Sequence, residues 1–175
     1  ARIASLFANI NIVEKRWAET EINGTTIIRQ LAKGQVGVAC SRAFAYLAAL
    51  PGRKAMTLNV DGRYYTEHDV ENTCWAYDAD YEFLANSGIE QIAVGGARRY
   101  DQMLRLLIAG VPATAIVSSA AERETADLLS LKGIDTVANV YDDDNIVVVG
   151  WAVQDRLIAR LQAESSAELG GDNAH

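Results

Sequence analysis

The sequence predicts an α/β sandwich built on a largely parallel sheet and led by a β-hairpin. Two observations carry this. From Gln91 onward, apolar strand-like runs alternate with amphipathic helical ones: QIAV, YDQMLRLLIAG, ATAIV, AERETADLLSLKG, TVANV, NIVVV and WAVQDRLIARLQAE. Such alternation is what helices packed over a parallel sheet require. Near the start, WAETEINGTTIIRQL reads as two strands joined at Asn23-Gly24, because that dipeptide tolerates the positive φ angles of a tight hairpin. A chain of 175 residues is within the usual size of one domain and can bury a sizeable core. The domain is expected over residues 1–165. SAELGGDNAH, residues 166–175, is small and polar and is expected to be a disordered tail.

The elements between follow from local chemistry. Small and apolar residues at helical density run from Ser41 to Leu50 and stop at Pro51-Gly52, a pair that cannot continue a helix. A strand is expected over Ala55–Val60. CWAYDADYEF begins a short helix ending near Asn86–Gly88, with Asp78 or Asp80 as N-cap. Gly110 and Gly133 stand where helix C-terminal glycines belong. The acidic turn YDDDN separates TVANV from NIVVV, two strands close enough to form a hairpin or to bracket a sheet edge.

Composition excludes several classes. The 23 acidic against 16 basic residues give a formal net charge of −7, with no Lys/Arg run, which argues against duplex nucleic acid as a partner. Cys40 and Cys74 lack metal-ligand spacing and are too few for a disulfide scaffold, as in a reduced cytoplasmic protein. No apolar run approaches the roughly 20 residues that span a bilayer.

Two junctions share one form: QIAV-GG-ARRYD and NIVVV-G-WAVQD both pass from apolar strand through glycine into helix. Glycine there lets backbone approach a ligand and turns helix-start amides outward, so Gly95 and Gly96 are candidates for anion binding, as are Lys33 and Arg98. A short strand-to-helix connection explains the same pattern. Neither junction is a dinucleotide fingerprint or a Walker A sequence. Arg98, Arg99 and Arg105 lie near the first junction, as carboxylate or phosphate binders or as a solvated helix face. In CWAYDADYEF three acids, Asp78, Asp80 and Glu82, follow Trp75 and Tyr77. A metal site is not expected, since no His or Cys stands at supporting spacing. His68 lies in a polar loop and His175 is terminal, so no nucleophilic triad is complete.

Taken in order, four stretches resemble the C-terminal domain of the MurT family of Mur-ligase-like proteins. LAKGQVG (31–37) is similar to the family's LAKNPAG, and LNVDG (58–62) to its L-N-D segment. DVENTCWAYDADYEFL resembles D-G-x-D-x-S-W-x-W-D-x-D-F-E, and GGARRYDQMLRLLIAGV resembles S-G-L-R-x-x-D-M-x-L-R-L-K-Y-A-G-V. Gly34-Gln35 replaces Asn-Pro, Tyr77 replaces the second tryptophan, and VGWAV at 149–153 replaces a T-Y-T-A segment.

The resemblance implies a three-layer, Rossmann-like sandwich of the Mur ligase C-terminal kind. It implies a ligase of peptidoglycan biosynthesis: a heterodimer in which a glutaminase partner releases ammonia, while the Mur-like subunit uses ATP and Mg to amidate the D-glutamate α-carboxylate of lipid II. In that family ATP binds an upstream domain with a P-loop and a zinc ribbon, so no cofactor is expected in this chain. The chain begins at Ala1 and is expected to be the C-terminal portion of a longer protein, inactive alone. The family's C-terminal domain supplies an aspartate that completes the partner's Cys-His pair; Asp78 matches it, with Asp80, Glu82 and Asp101 as alternatives and Trp75 and Tyr77 as a supporting apolar wall. The rivals are a non-catalytic docking module for the glutaminase and a free-standing nucleotide-binding enzyme using Gly95-Gly96.

Overall fold

The computed structural model describes residues 17–32, 36–60, 74–141 and 150–171, with side chains to residue 164. The expected hairpin forms from β1 (Trp17–Ile22) and β2 (Thr25–Leu31). Both turn residues are left-handed, Asn23 at φ 52° and Gly24 at φ 82°, the conformation a two-residue hairpin needs. β3 (Lys54–Asn59), β4 (Ile89–Gly95), β5 (Ile116–Ser119) and β6 (Thr136–Tyr141) complete a six-stranded sheet in the order β1-β2-β6-β3-β4-β5. Every pairing after the hairpin is parallel.

β6 therefore stands inside the sheet, between β2 and β3, and brackets no edge. All six of its residues are buried, as a strand covered on both faces must be. Residues 142–149, which hold NIVVV and the rest of the YDDDN turn after Tyr141, lie outside the described residues.

Successive side chains point to opposite faces, and this splits the core in two. Ile28, Met56, Leu58, Ile92, Val94, Ala138 and Val140 belong to one cluster. It is covered by α1 (Gly37–Ala49), α2 (Trp75–Asp78) and α3 (Arg99–Ile108). Ile27, Ala55, Ala93 and Val137 belong to the other, under α4 (Thr125–Leu128) and α5 (Trp151–Gly171). The result is the expected three-layer sandwich.

Two local expectations are corrected. AERETADLLSLKG forms only a 3-10 turn, Glu122–Glu124, and the four-residue α4. Leu129, Leu131 and Ile134 are all buried, and bringing all three to the sheet requires an extended chain; Arg160 of α5 donates to the Ala126 and Leu129 carbonyls at the place where the helix stops. Gly133, at φ 71°, consequently sits in a turn instead of at a helix end. Gly110 does follow a helix, at φ 94° with its amide on the Leu107 carbonyl. α5 extends to Gly171, past residue 165; its buried apolar residues are Val153, Leu157 and Leu161.

Candidate functional site

The acids of CWAYDADYEF are held on a short, well-anchored segment. Trp75, Ala76 and Ala79 are buried, a helical spacing that turns Tyr77 and Asp78 outward. Ala79 is extended, at φ −91° and ψ 140°, which ends α2, and Tyr81–Leu84 follows as a 3-10 turn. The N-cap expectation fails for Asp78, the last residue of its helix. Asp80 occupies the N-cap position of the 3-10 turn but makes no capping bond with its side chain; its own amide instead donates to Ser41 Oγ at 2.9 Å. Trp75 and Tyr77 separate: Trp75 joins the core and Tyr77 is 54% exposed, so only the tyrosine stands beside Asp78 at the surface.

Contacts from two sides fix this segment. The first turn of α1 lies against Asp78 so closely that a Cβ on Gly37 would stand 3.1 Å from the Asp78 carbonyl carbon and oxygen. Ser41, one turn on, donates to the Gly37 carbonyl at 2.9 Å while accepting from Asp80. From α3, Arg105 donates Nε to the Ala76 carbonyl (3.2 Å) and Nη2 to both the Ala79 carbonyl and Glu82 Oε2 (2.8 Å each). Tyr81 donates to Gln102 Oε1, and Gln102 Nε2 donates to the Val60 carbonyl just beyond β3 at 3.1 Å. Burial pushes the Tyr81 hydroxyl pKa far up. α1 follows the carboxyl end of β2 and α3 that of β4, so Asp78 lies at the carboxyl edge of the sheet, where α/β folds carry their sites.

The four candidate acids are not equivalent. Glu82 is paired with Arg105, whose hydrogen bond holds its carboxyl below the usual range. Asp101 meets Arg98 at 3.5 Å across one helical turn. Asp78 and Asp80 are exposed, and among the described residues their carboxylates have no hydrogen-bond or ion-pair partner. Asp78 is thus an ionisable acceptor on a fixed backbone, able to receive a donor supplied from outside the chain. Cys40 is buried and Cys74 exposed, and both histidines fall outside the described residues, as do Lys33, Gly34 and Gln35.

Arg105 corrects the sequence reading most. It does not serve the glycine junction, nor a solvated face; it is 5% exposed and ties down the Asp78 segment. The available signal was its spacing, since Gln102, Arg105 and Leu106 are the buried residues of α3. Ser41 and Gly37 carried no comparable signal. At the junction itself, a Cβ on Gly95 would fall 2.1 Å from Asn59 Oδ1, and the Gly96 amide donates to the Ser119 carbonyl at 3.2 Å. Arg99 donates to the Gly96 carbonyl and stacks on Tyr100. At the second junction, a Cβ on Gly150 would stand 2.5 Å from the Tyr141 ring. Both glycines are required by side chains packed against them. Among the described residues no three His, Cys, Asp or Glu converge as a metal site, and no helix is long and apolar enough to cross a membrane.

The profile of the MurT ligase C-terminal family matches residues 34–141. Over 108 residues the chain is 34% identical to the lipid II isoglutaminyl synthase (glutamine-hydrolyzing) subunit MurT of Staphylococcus aureus strain COL, and equally to that of strain N315. Each match covers 62% of this chain and 23% of the relative, so the chain aligns with about a quarter of those proteins.

Proposed function

The chain belongs to the MurT ligase C-terminal family, and from that premise we propose that it is the C-terminal domain of the ligase subunit of a lipid II isoglutaminyl synthase. In this reading a glutaminase partner forms a heterodimer with the full-length protein in the cytoplasm and hydrolyses glutamine. The ammonia amidates the D-glutamate α-carboxylate of a lipid II type peptidoglycan precursor. At the glycine junction the Gly96 amide is already bonded to the Ser119 carbonyl and gives no free donor for a phosphate. We assign ATP and Mg to parts of the protein outside this chain, and no step here runs through them.

The observation that carries the reading is the Asp78 carboxylate: exposed, unpartnered among the described residues, and presented by a buttressed segment inside the family match. Its role would be to accept a hydrogen bond from the partner's catalytic imidazole, fixing the tautomer whose other nitrogen takes the thiol proton. The thiolate attacks the glutamine carboxamide, the imidazolium returns the proton to the leaving nitrogen, and ammonia departs from a thioester that water then hydrolyses. A carboxylate beside the imidazolium stabilises the charge formed in that cycle.

The rival docking role is favoured by a different observation: Tyr100, Leu104, Leu107 and Ile108 form an exposed apolar row on α3. One assay separates the two. The full-length protein and its glutaminase are assembled and tested for glutamine- and ATP-dependent amidation of lipid II; no amidation overturns the reaction class. Asp78→Asn should lower glutamine hydrolysis by up to about 10⁴, the loss seen when a serine triad's aspartate is neutralised, while ammonia-driven amidation persists. Undiminished hydrolysis removes Asp78 from catalysis, and loss of complex formation supports docking.

A further inference from the structure

We propose that Arg105 is the positioning residue for Asp78, acting through the backbone of the segment that carries it; this rests on the reading of Asp78 given above. The guanidinium grips the chain on both sides of the aspartate, through the Ala76 and Ala79 carbonyls, and a third contact goes to Glu82. A four-residue helix has too few internal hydrogen bonds to hold its own orientation. Its last residue can be presented in one direction only if something outside the helix fixes it. Arg105 does so from α3, a ten-residue helix packed on the sheet, and Gly37 limits movement from the opposite side by its 3.1 Å approach to the Asp78 backbone.

Stability alone does not explain this arginine. Among the described residues Nη1 is buried without a hydrogen-bond partner, and the side chain is almost wholly desolvated while Glu82, its ionic partner, is 58% exposed. A buried cation under those terms is commonly matched or bettered for stability by an apolar side chain of similar volume. What methionine or leucine would not supply is a directional bond to a carbonyl on either side of residue 78. A carboxylate that must meet an imidazole delivered by another protein needs that direction, because a displacement of about 1 Å can cost about 10²-fold in rate.

The test uses the full-length protein with its glutaminase and reads glutamine hydrolysis, ammonia-driven amidation and complex formation separately. Arg105→Lys keeps the charge but cannot reproduce the fork. It should lower kcat for glutamine hydrolysis by about 10- to 100-fold, with KM for glutamine, ammonia-driven amidation and complex formation unchanged. Gly37→Ala leaves Arg105 and the core in place and pushes the Asp78 backbone by a few tenths of an ångström; it should cost about 2- to 10-fold and serves also if the arginine variant does not fold. In an Asp78→Asn background neither substitution should change the residual rate further. Wild-type hydrolysis in both variants, or the same fold loss with and without Asp78, overturns the positioning role. Wild-type hydrolysis in Asp78→Asn alone overturns the underlying assignment of Asp78, a result that needs no arginine variant to be seen.

Discussion

The two faces of the sheet are sealed by different chemistry. On the face that carries Asp78 the core under the sheet is mainly apolar and aromatic: Phe44 of α1 meets Tyr81 edge-on at 4.8 Å, among Leu47, Trp75, Leu84 and Leu106. On the other face polar groups reach inside. The Thr57 hydroxyl donates to Asn139 Oδ1 at 2.9 Å, Asn139 Nδ2 donates to the Gly150 carbonyl at 2.9 Å, and Asn59 Nδ2 donates to Thr125 Oγ1 at 3.1 Å. Thr57 and Asn139 are register partners in β3 and β6, so a one-residue slip would break their bond as well as misplace every side chain. Apolar packing is strong but without direction, whereas a buried hydrogen bond specifies one arrangement. The second face therefore keeps direction in its interior, where it fixes register. The first concentrates it on one segment at its rim: Arg105 and the pair of Tyr81 and Gln102 from within, and Ser41 from α1, fix the stretch bearing Asp78.

Four substitutions break or sharpen this contrast. The largest effect is expected from Phe44→Ala, which empties an aromatic site on the apolar face and should cost about 3–5 kcal/mol. Denaturant unfolding measures it, and a loss under about 1 kcal/mol would mean that this face collapses around the gap and is not closely packed. Asn139→Leu comes next. It leaves the Gly150 carbonyl and the Thr57 hydroxyl without their partner and should cost about 1–3 kcal/mol. Adding Thr57→Val should recover part of that loss, since removing both members of a buried pair is cheaper than stranding one. A strictly additive double mutant would show that the two side chains are not coupled.

The smallest effect belongs to the rim. Arg105 holds the Glu82 carboxyl below its ordinary range. A carboxyl depressed in the folded state contributes stability that is present above its unfolded pKa and lost as pH falls through the folded one. Because Glu82 is mostly exposed, Glu82→Gln should cost only a few tenths of a kcal/mol at pH 7. The difference from wild type should fade as the pH drops below about 4.3, the ordinary glutamate value. Paired unfolding curves at pH 7 and pH 3 measure it, and a difference that grows on acidification would contradict the pairing.

Much of the sandwich was legible because its signals are local. Asn23-Gly24 is a turn by its own conformational preferences, Pro51-Gly52 stops α1, and the strand-like segments Ala55–Val60, QIAV and TVANV fall on β3, β4 and β6. The AERETADLLSLKG segment was misread for a reason of the same kind: helical periodicity is a local property, but its leucines are claimed by the sheet and its carbonyls by Arg160, which lies 31 residues beyond Leu129.

For the site, the sequence by itself determined which residues were present and, through the W-x-Y-D segment, where to look. It set Asp78, Asp80 and Glu82 at alternate positions with Asp101 farther on, and the family resemblance favoured Asp78 without showing how the four differ in their surroundings. Tertiary structure alone decided among their environments. Glu82 is committed to an arginine 23 residues away and Asp101 to a neighbour on its own helix, while Asp78 and Asp80 face solvent. Arg105, which reads as surface charge beside Arg98 and Arg99, becomes an interior clamp because the Ala76 and Ala79 carbonyls are brought to it from 29 and 26 residues away. Helical spacing can mark Arg105 as facing inward with Gln102 and Leu106, but which carbonyls it meets there depends on what the fold carries to it across the chain.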